Sequence, residues 1–281
     1  MLNFSRQTPF IGCESTIENS DTVIFGVPFD GTTSFRPGAR FGPAAIRNES
    51  FGIETFSPYC NRDLEDFKIA DMGDLELPFG NTERVLAEIE NTADEIFLLN
   101  KRPVMLGGEH LASLGAIRAA KRHYGDLVIL HFDAHADLRS DYMGERLSHA
   151  TVMRRVYELV GDGQIYQFGI RSGERAEFEF AAEHTIMERF TVKTVSDVVK
   201  NLRSPVYLSI DLDVLDSSVL PGTGTPEAGG ISFLEFAEAI NALKGLNIVG
   251  ADIVELAPHY DQSGASTAVA CKILRELLLI L

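Results

Sequence analysis

The sequence predicts an α/β fold built on a central, mainly parallel sheet. Short runs rich in β-branched residues recur along the chain, and most are followed by a longer segment whose apolar residues have helical spacing. The runs fall at residues 23–27, 68–71, 104–106, 127–132, 164–170, 206–210 and 248–254. Helical spacing marks 81–99, 110–124, 150–159, 173–184, 232–243 and 265–281, and Ser232 with Glu235 forms a capping box at the start of the fifth. Gly- and Pro-rich stretches at 26–43 and 221–230 read as long ordered loops.

The 281 residues, 45% apolar and 23% charged, have the make-up of an ordinary globular protein. No linker-like stretch divides them, so residues 1–281 are expected to form a single domain. Lys and Arg total 25 against 41 Asp and Glu, a formal charge of -16, which argues against nucleic acid as a partner. Cys13, Cys60 and Cys271 are scattered, form no metal or disulfide pattern, and suit a reducing cytoplasm. No leader-like start and no apolar run near the ~18 residues of a membrane span are present, so no membrane partner is expected.

In parallel sheets ligands bind at the carboxyl ends of the strands. The run ending at residue 132 leads into Asp133-Ala134-His135-Ala136-Asp137, where extended backbone would point three potential ligands to one face. Residues 207–210 lead into Asp211-Leu212-Asp213. Residues 104–106 lead through Gly107 and Gly108, which permit close backbone approach, to Glu109-His110. A lone Asp at a strand end ordinarily caps the next helix. Four carboxylates converging on one edge are different, because they would repel one another unless cations compensated. Carboxylate oxygens with a minority of imidazole and no thiolate suit Mn²⁺ first, and a pair of such ions suits hydrolysis by activated water.

These three blocks resemble the signature blocks of the ureohydrolase (arginase/agmatinase) family. The likeness runs from Gly26-Val27-Pro28-Phe29-Asp30 through 36–43 to Val254-Glu255-Leu256-Ala257-Pro258, and is nearest to agmatinase. The resemblance implies a three-layer αβα fold with two Mn²⁺ per chain. His110, Asp133, Asp137 and Asp211 would hold one ion, and Asp133, His135, Asp211 and Asp213 the other. It further implies attack by a metal-bridging hydroxide on a guanidinium carbon, with urea released. His149 occupies the family position for proton transfer to the departing amine, and Glu255 the position that orients the guanidinium. Relatives are generally trimers or hexamers, so a homo-oligomer is expected.

Arginases commonly carry asparagine two positions beyond the last aspartate of the second block; here that position is Arg139. This points to agmatine, which lacks a carboxylate, and leaves guanidinobutyrate or formiminoglutamate as alternatives, since Arg139 could pair with an acid. A single-zinc hydrolase and a non-catalytic metal-binding protein are the readings from other classes. Asp30 is expected to anchor its loop, Arg36, Arg40 and Arg47 to be structural or interfacial, and His131 to be a satisfied histidine behind the site. Ala150 and Ser217 depart from the family's usual glycine and proline.

Overall fold

Apolar runs buried on both faces can only be satisfied by helices on either side of the sheet. The computed structural model, which describes residues 4–5 and 7–281, has that arrangement. In chain order the elements are β1 (Phe4–Ser5), β2 (Thr22–Gly26), α1 (Gly42–Glu49), β3 (Phe56–Ser57), β4 (Arg62–Asp63), β5 (Ile69–Leu75), α2 (Thr82–Leu98), β6 (Arg102–Leu106) and α3 (Ser113–His123). There follow β7 (Val128–Phe132), α4 (Val152–Val160), β8 (Ile165–Ile170), α5 (Arg175–His184), β9 (Ile186–Arg189), α6 (Val195–Asn201), β10 (Val206–Asp211), α7 (Phe233–Ala242), β11 (Ile248–Val254) and α8 (Ala265–Ile280).

The main sheet has nine strands in the order β1-β5-β2-β6-β11-β10-β7-β8-β9. Only the β1–β5 pair is antiparallel. Helices α1, α6, α7 and α8 close over one face, where Ile46, Val195, Phe236 and Leu274 pack on the strands, and α2, α3, α4 and α5 cover the other with Leu86, Ile117, Val156 and Ala181. This is the three-layer αβα fold. Among the described residues no helix is long and apolar enough to cross a membrane.

The predicted strands lie within a residue or two of the observed ones except β5, which continues beyond 71 through Gly73 (φ 87°), where its register against β2 shifts. The Ser232–Glu235 capping box is present. Three departures stand out. The loop predicted over 26–43 gives way to α1 at Gly42, with Pro43 in its first turn. The chain after 184 adds the half-exposed edge strand β9 and the short α6, neither with a clear period. The starts predicted at His110 and Ala150 are 3-10 turns that precede α3 and α4.

Asp30 anchors its loop as expected, accepting from Gly38 N–H at 2.7 Å and from the Arg40 side chain. Arg47 is structural. Its guanidinium, 1% exposed, bonds Asp71 from Nε (2.8 Å) and Nη2 (2.9 Å), pairs with Asp74 and donates to Gly73 O (3.1 Å), tying α1 to β5. Removing one partner of a buried ion pair strands the other charge, at a cost of about 3–5 kcal/mol. Arg47→Ala is therefore expected to lower the urea midpoint by an amount equivalent to that loss; an unchanged midpoint would contradict this account.

Candidate active site

The sheet order explains why residues far apart in sequence meet. Strands β6, β11, β10 and β7 are consecutive neighbours, and their carboxyl ends deliver His110, Glu255, Asp211 with Asp213, and Asp133 with His135 and Asp137. All eight residues singled out from the sequence, these seven and His149, border a single region. Six of them line or floor a cleft of about 240 Å³, and Asp133 and Asp213 lie just beneath it.

His110 Nδ1 lies 3.0 Å from Asp133 Oδ2, 3.2 Å from Asp137 Oδ2 and 3.4 Å from Asp211 Oδ2. His135 Nδ1 lies 3.0 Å from Asp213 Oδ2 and 3.5 Å from Asp133 Oδ1. Asp211 in turn accepts the Asp213 N–H at 2.9 Å. Two pockets of donors thus share Asp133. The segment after β7 does not remain extended: Asp137 turns to φ 55°, which brings it beside His110 while His135 reaches the other pocket.

This donor set fits divalent cations, on the evidence of what is left unsatisfied. His110 Nδ1 is buried without a hydrogen bond of good geometry. Its other nitrogen is spoken for: Ser209 Oγ donates to Asp252 Oδ1 (2.8 Å) and so accepts from His110 Nε2 (3.0 Å), which directs the Nδ1 lone pair at three carboxylates. Without a cation, protons must balance the charge. Burial opposes ionisation of His110, yet the surrounding carboxylates of Asp133, Asp137 and Asp211 drive its pKa well above the usual range. Burial and repulsion from Asp133 push Asp137 up to about 7. Burial with repulsion from Asp213 and Asp133 raises Asp211 well above an ordinary aspartate.

His131 also lies near Asp133 and His110, as a third imidazole in reach of a cation. Its hydrogen bonds assign it a different task. Gln167 Nε2 donates to Ala136 O (2.9 Å) and to His131 Nδ1 (3.1 Å), while Gln167 Oε1 accepts from Thr185 (3.1 Å). The His131 proton therefore sits on Nε2 and points at Asp133 Oδ2, 2.8 Å away. His131 is the satisfied histidine the sequence led us to expect. It belongs to a row that parallel register draws across four strands: Gln167 on β8, His131 on β7, Ser209 on β10 and Asp252 on β11, all fully buried.

Glu255 follows β11 at φ 67°, with its N–H on Gly108 O (2.8 Å) and its Oε1 accepting from His110 N (2.8 Å). Burial, then the nearby Glu109 carboxylate, pushes its pKa up to about 8. Across the cleft, His149 Nδ1 donates to Thr32 O at 3.0 Å, so Nε2 faces the cleft with its lone pair, 3.3 Å from Ser34 Oγ. Burial lowers the His149 pKa to about 4, so the ring is neutral.

The sequence did not single out several contributors. Arg171 holds the loop after β10 by donating to Asp213 O (2.6 Å), Val214 O (3.1 Å) and Leu215 O (3.1 Å). Glu174, Glu177, Tyr142 and Ser34 complete the wall. Arg139, which the sequence did single out, faces the cleft but is engaged, at 3.1 Å from Glu174 and 3.5 Å from Glu177, over the Tyr142 ring. Only Asp252 carried a legible signal, a carboxylate within an otherwise apolar strand.

The Arginase family model matches residues 20–280. An agmatinase of Bacillus subtilis is 47% identical over 96% of this chain and 95% of its own. An N(1)-aminopropylagmatine ureohydrolase of Thermococcus kodakarensis is 42% identical over 85% of this chain and 84% of its own. The crystal structure of an agmatine ureohydrolase of Thermoplasma volcanium superposes with a TM-score of 0.88 at 33% identity, covering 98% of this chain and 94% of that one. With this similarity along nearly its full length, the chain belongs to the arginase family of ureohydrolases, enzymes that act on guanidino compounds.

Proposed function

We propose that the protein hydrolyses agmatine to putrescine and urea at a centre of two Mn²⁺ per chain, as a single-domain cytoplasmic homo-oligomer. One observation carries the reading: a floor of four aspartates and two imidazoles, with an unprotonated histidine nitrogen and a carboxylate facing each other above it. His110, Asp133, Asp137 and Asp211 would hold one ion, and Asp133, His135, Asp211 and Asp213 the second. When bound, such a pair supplies Lewis acidity and lowers the pKa of water at the site toward neutrality.

The chain's own residues do the rest. Glu255 can pair with the guanidinium by charge-assisted hydrogen bonds, and a cation brought there restores the ionised carboxylate that burial disfavours. Water addition at the guanidinium carbon gives a tetrahedral centre whose collapse needs a proton on the departing nitrogen. His149 is neutral at rest, so the proton it delivers through Nε2 is one it first accepts in the cleft. Thr32 O keeps the Nδ1 proton in place and leaves Nε2 free for that exchange.

The other end of the cleft favours an amine. Arg139 is offset by two carboxylates, and Glu174, with its side chain 60% exposed at the rim, offers a partner for a distal ammonium. A longer guanidino polyamine is a second reading, because Ser34 and Tyr142 also line an adjoining groove of about 790 Å³. The Thermococcus relative is named for such a substrate.

Offering Mn²⁺-loaded protein agmatine, N(1)-aminopropylagmatine, arginine, guanidinobutyrate and formiminoglutamate in parallel tests the reading; absence of urea and putrescine from agmatine would refute it. Glu174→Gln is expected to raise KM for agmatine about 10-fold with kcat nearly kept, in line with loss of one charge-assisted contact. His149→Ala should lower kcat by about 10² to 10⁴ while retaining metal. A cation must displace protons from His110, Asp137 and Asp211, whose pKa values are all raised. Mn²⁺ affinity is therefore expected to climb as pH rises through about 7, with proton release on binding, readable by calorimetry in buffers of different ionisation enthalpy. A pH-independent affinity would count against these ligands.

A further inference from the structure

Glu109 is a fully buried carboxylate next to the cleft to which neither cation binding nor substrate binding assigns a task. It follows Gly107 and Gly108 at the end of β6, and its side chain turns away from His110 toward the loop after β2. There it accepts hydrogen bonds from Thr32 N–H (3.0 Å to Oε2), Thr32 Oγ1 (2.7 Å to Oε1) and Thr33 Oγ1 (3.0 Å to Oε2). Its own N–H donates to Phe29 O at 2.7 Å. The loop lies so close here that a Cβ on Gly108 would stand 1.8 Å from that carbonyl oxygen.

Every bond by which Thr32 reaches Glu109 has a counterpart reaching His149. The Thr32 hydroxyl, having given its proton to Glu109, accepts the His149 backbone N–H at 3.2 Å. The Thr32 carbonyl accepts the His149 ring proton at 3.0 Å. The imidazole is thus located by one threonine at both its backbone and its ring, and that threonine is fixed by the side chain of Glu109. The hydroxyl accepts from His149 because a backbone N–H can only donate, and its own proton is then left for Glu109 Oε1 at 2.7 Å.

We propose that Glu109 and Thr32 are positioning residues for His149, forming a clamp that sets the place of its ring and the nitrogen it presents to the substrate. The clamp joins the two halves of the chemistry, since Glu109 is the covalent neighbour of His110 on the floor while Thr32 holds the imidazole on the wall. It rests on the reading of His149 as the proton-transferring group. Glu109 itself touches no substrate in this arrangement.

A double-mutant cycle tests the clamp with Mn²⁺-loaded protein and agmatine. Glu109→Gln and Thr32→Val should each lower kcat about 10-fold to 100-fold, the scale of a misplaced catalytic group, with KM and bound Mn²⁺ per chain little changed. Thr32→Ser, which keeps the hydroxyl, should restore most of the rate. In a His149→Ala background neither change should slow the enzyme further, because the group it positions is gone. Additive losses in that background, loss of Mn²⁺ from Glu109→Gln, or full rates in both single variants beside a slow His149→Ala would overturn the clamp. A fast His149→Ala enzyme would instead remove the reading beneath it, and the clamp with it. If Glu109→Gln fails to fold, the Thr32→Val and Thr32→Ser pair on the partly exposed loop decides the matter alone.

Discussion

Four aspartates brought into one dry corner repel one another, and everything around them is arranged to make that tolerable. Two imidazoles and bound protons supply the balancing charge in the chain alone, which is why His110 is driven toward its charged form and Asp137 and Asp211 toward their neutral ones. Divalent cations are the partners that remove the need for those protons. The same constraint accounts for the site's position. Only the ends of adjacent central strands can bring acids and imidazoles from four distant chain segments together while the sheet keeps their backbones paired.

The acid-rich composition does not by itself reveal this. A charge of -16 spread over a surface would mean little, whereas four carboxylates at strand ends specify chemistry. The floor was legible because its residues follow directly from apolar runs, where period and position fix one another; Asp133, Asp211 and Glu255 are each one step from a buried strand residue. The walls were much less legible. Thr32, Ser34, Tyr142 and Glu174 sit in loops whose shape is decided by long-range contacts, such as the 3.0 Å bond between Thr32 and a histidine more than a hundred positions away. The short edge strands and the eight-residue α1 escaped for a related reason, since they are too brief for a period to emerge.

Two of the six non-glycine residues with positive φ among the described ones lie where ligands must be aimed. Asp137 and Glu255 both hold positive φ without being glycine, a conformation that costs on the order of 1 kcal/mol and persists only where surroundings enforce it. For Glu255 the enforcement is visible, with its N–H on one turn of backbone and its carboxylate on another. The carboxylate is thereby presented to the cleft by main-chain geometry more than by a choice of rotamer.

The buried line of Gln167, His131, Ser209 and Asp252 has an implication for assembly of the molecule as well as for its chemistry. Gln167 reaches His131 only when β8 and β7 are aligned as in the finished sheet, and Ser209 reaches Asp252 only when β10 and β11 are. Sliding any one strand by a single residue would turn its polar member to the opposite face and leave that member's partner unsatisfied in an apolar interior. Apolar side chains would accept several offsets with little penalty; this line accepts one. The residues that hold His110 and Asp133 in place thus also select the strand alignment that brings them together.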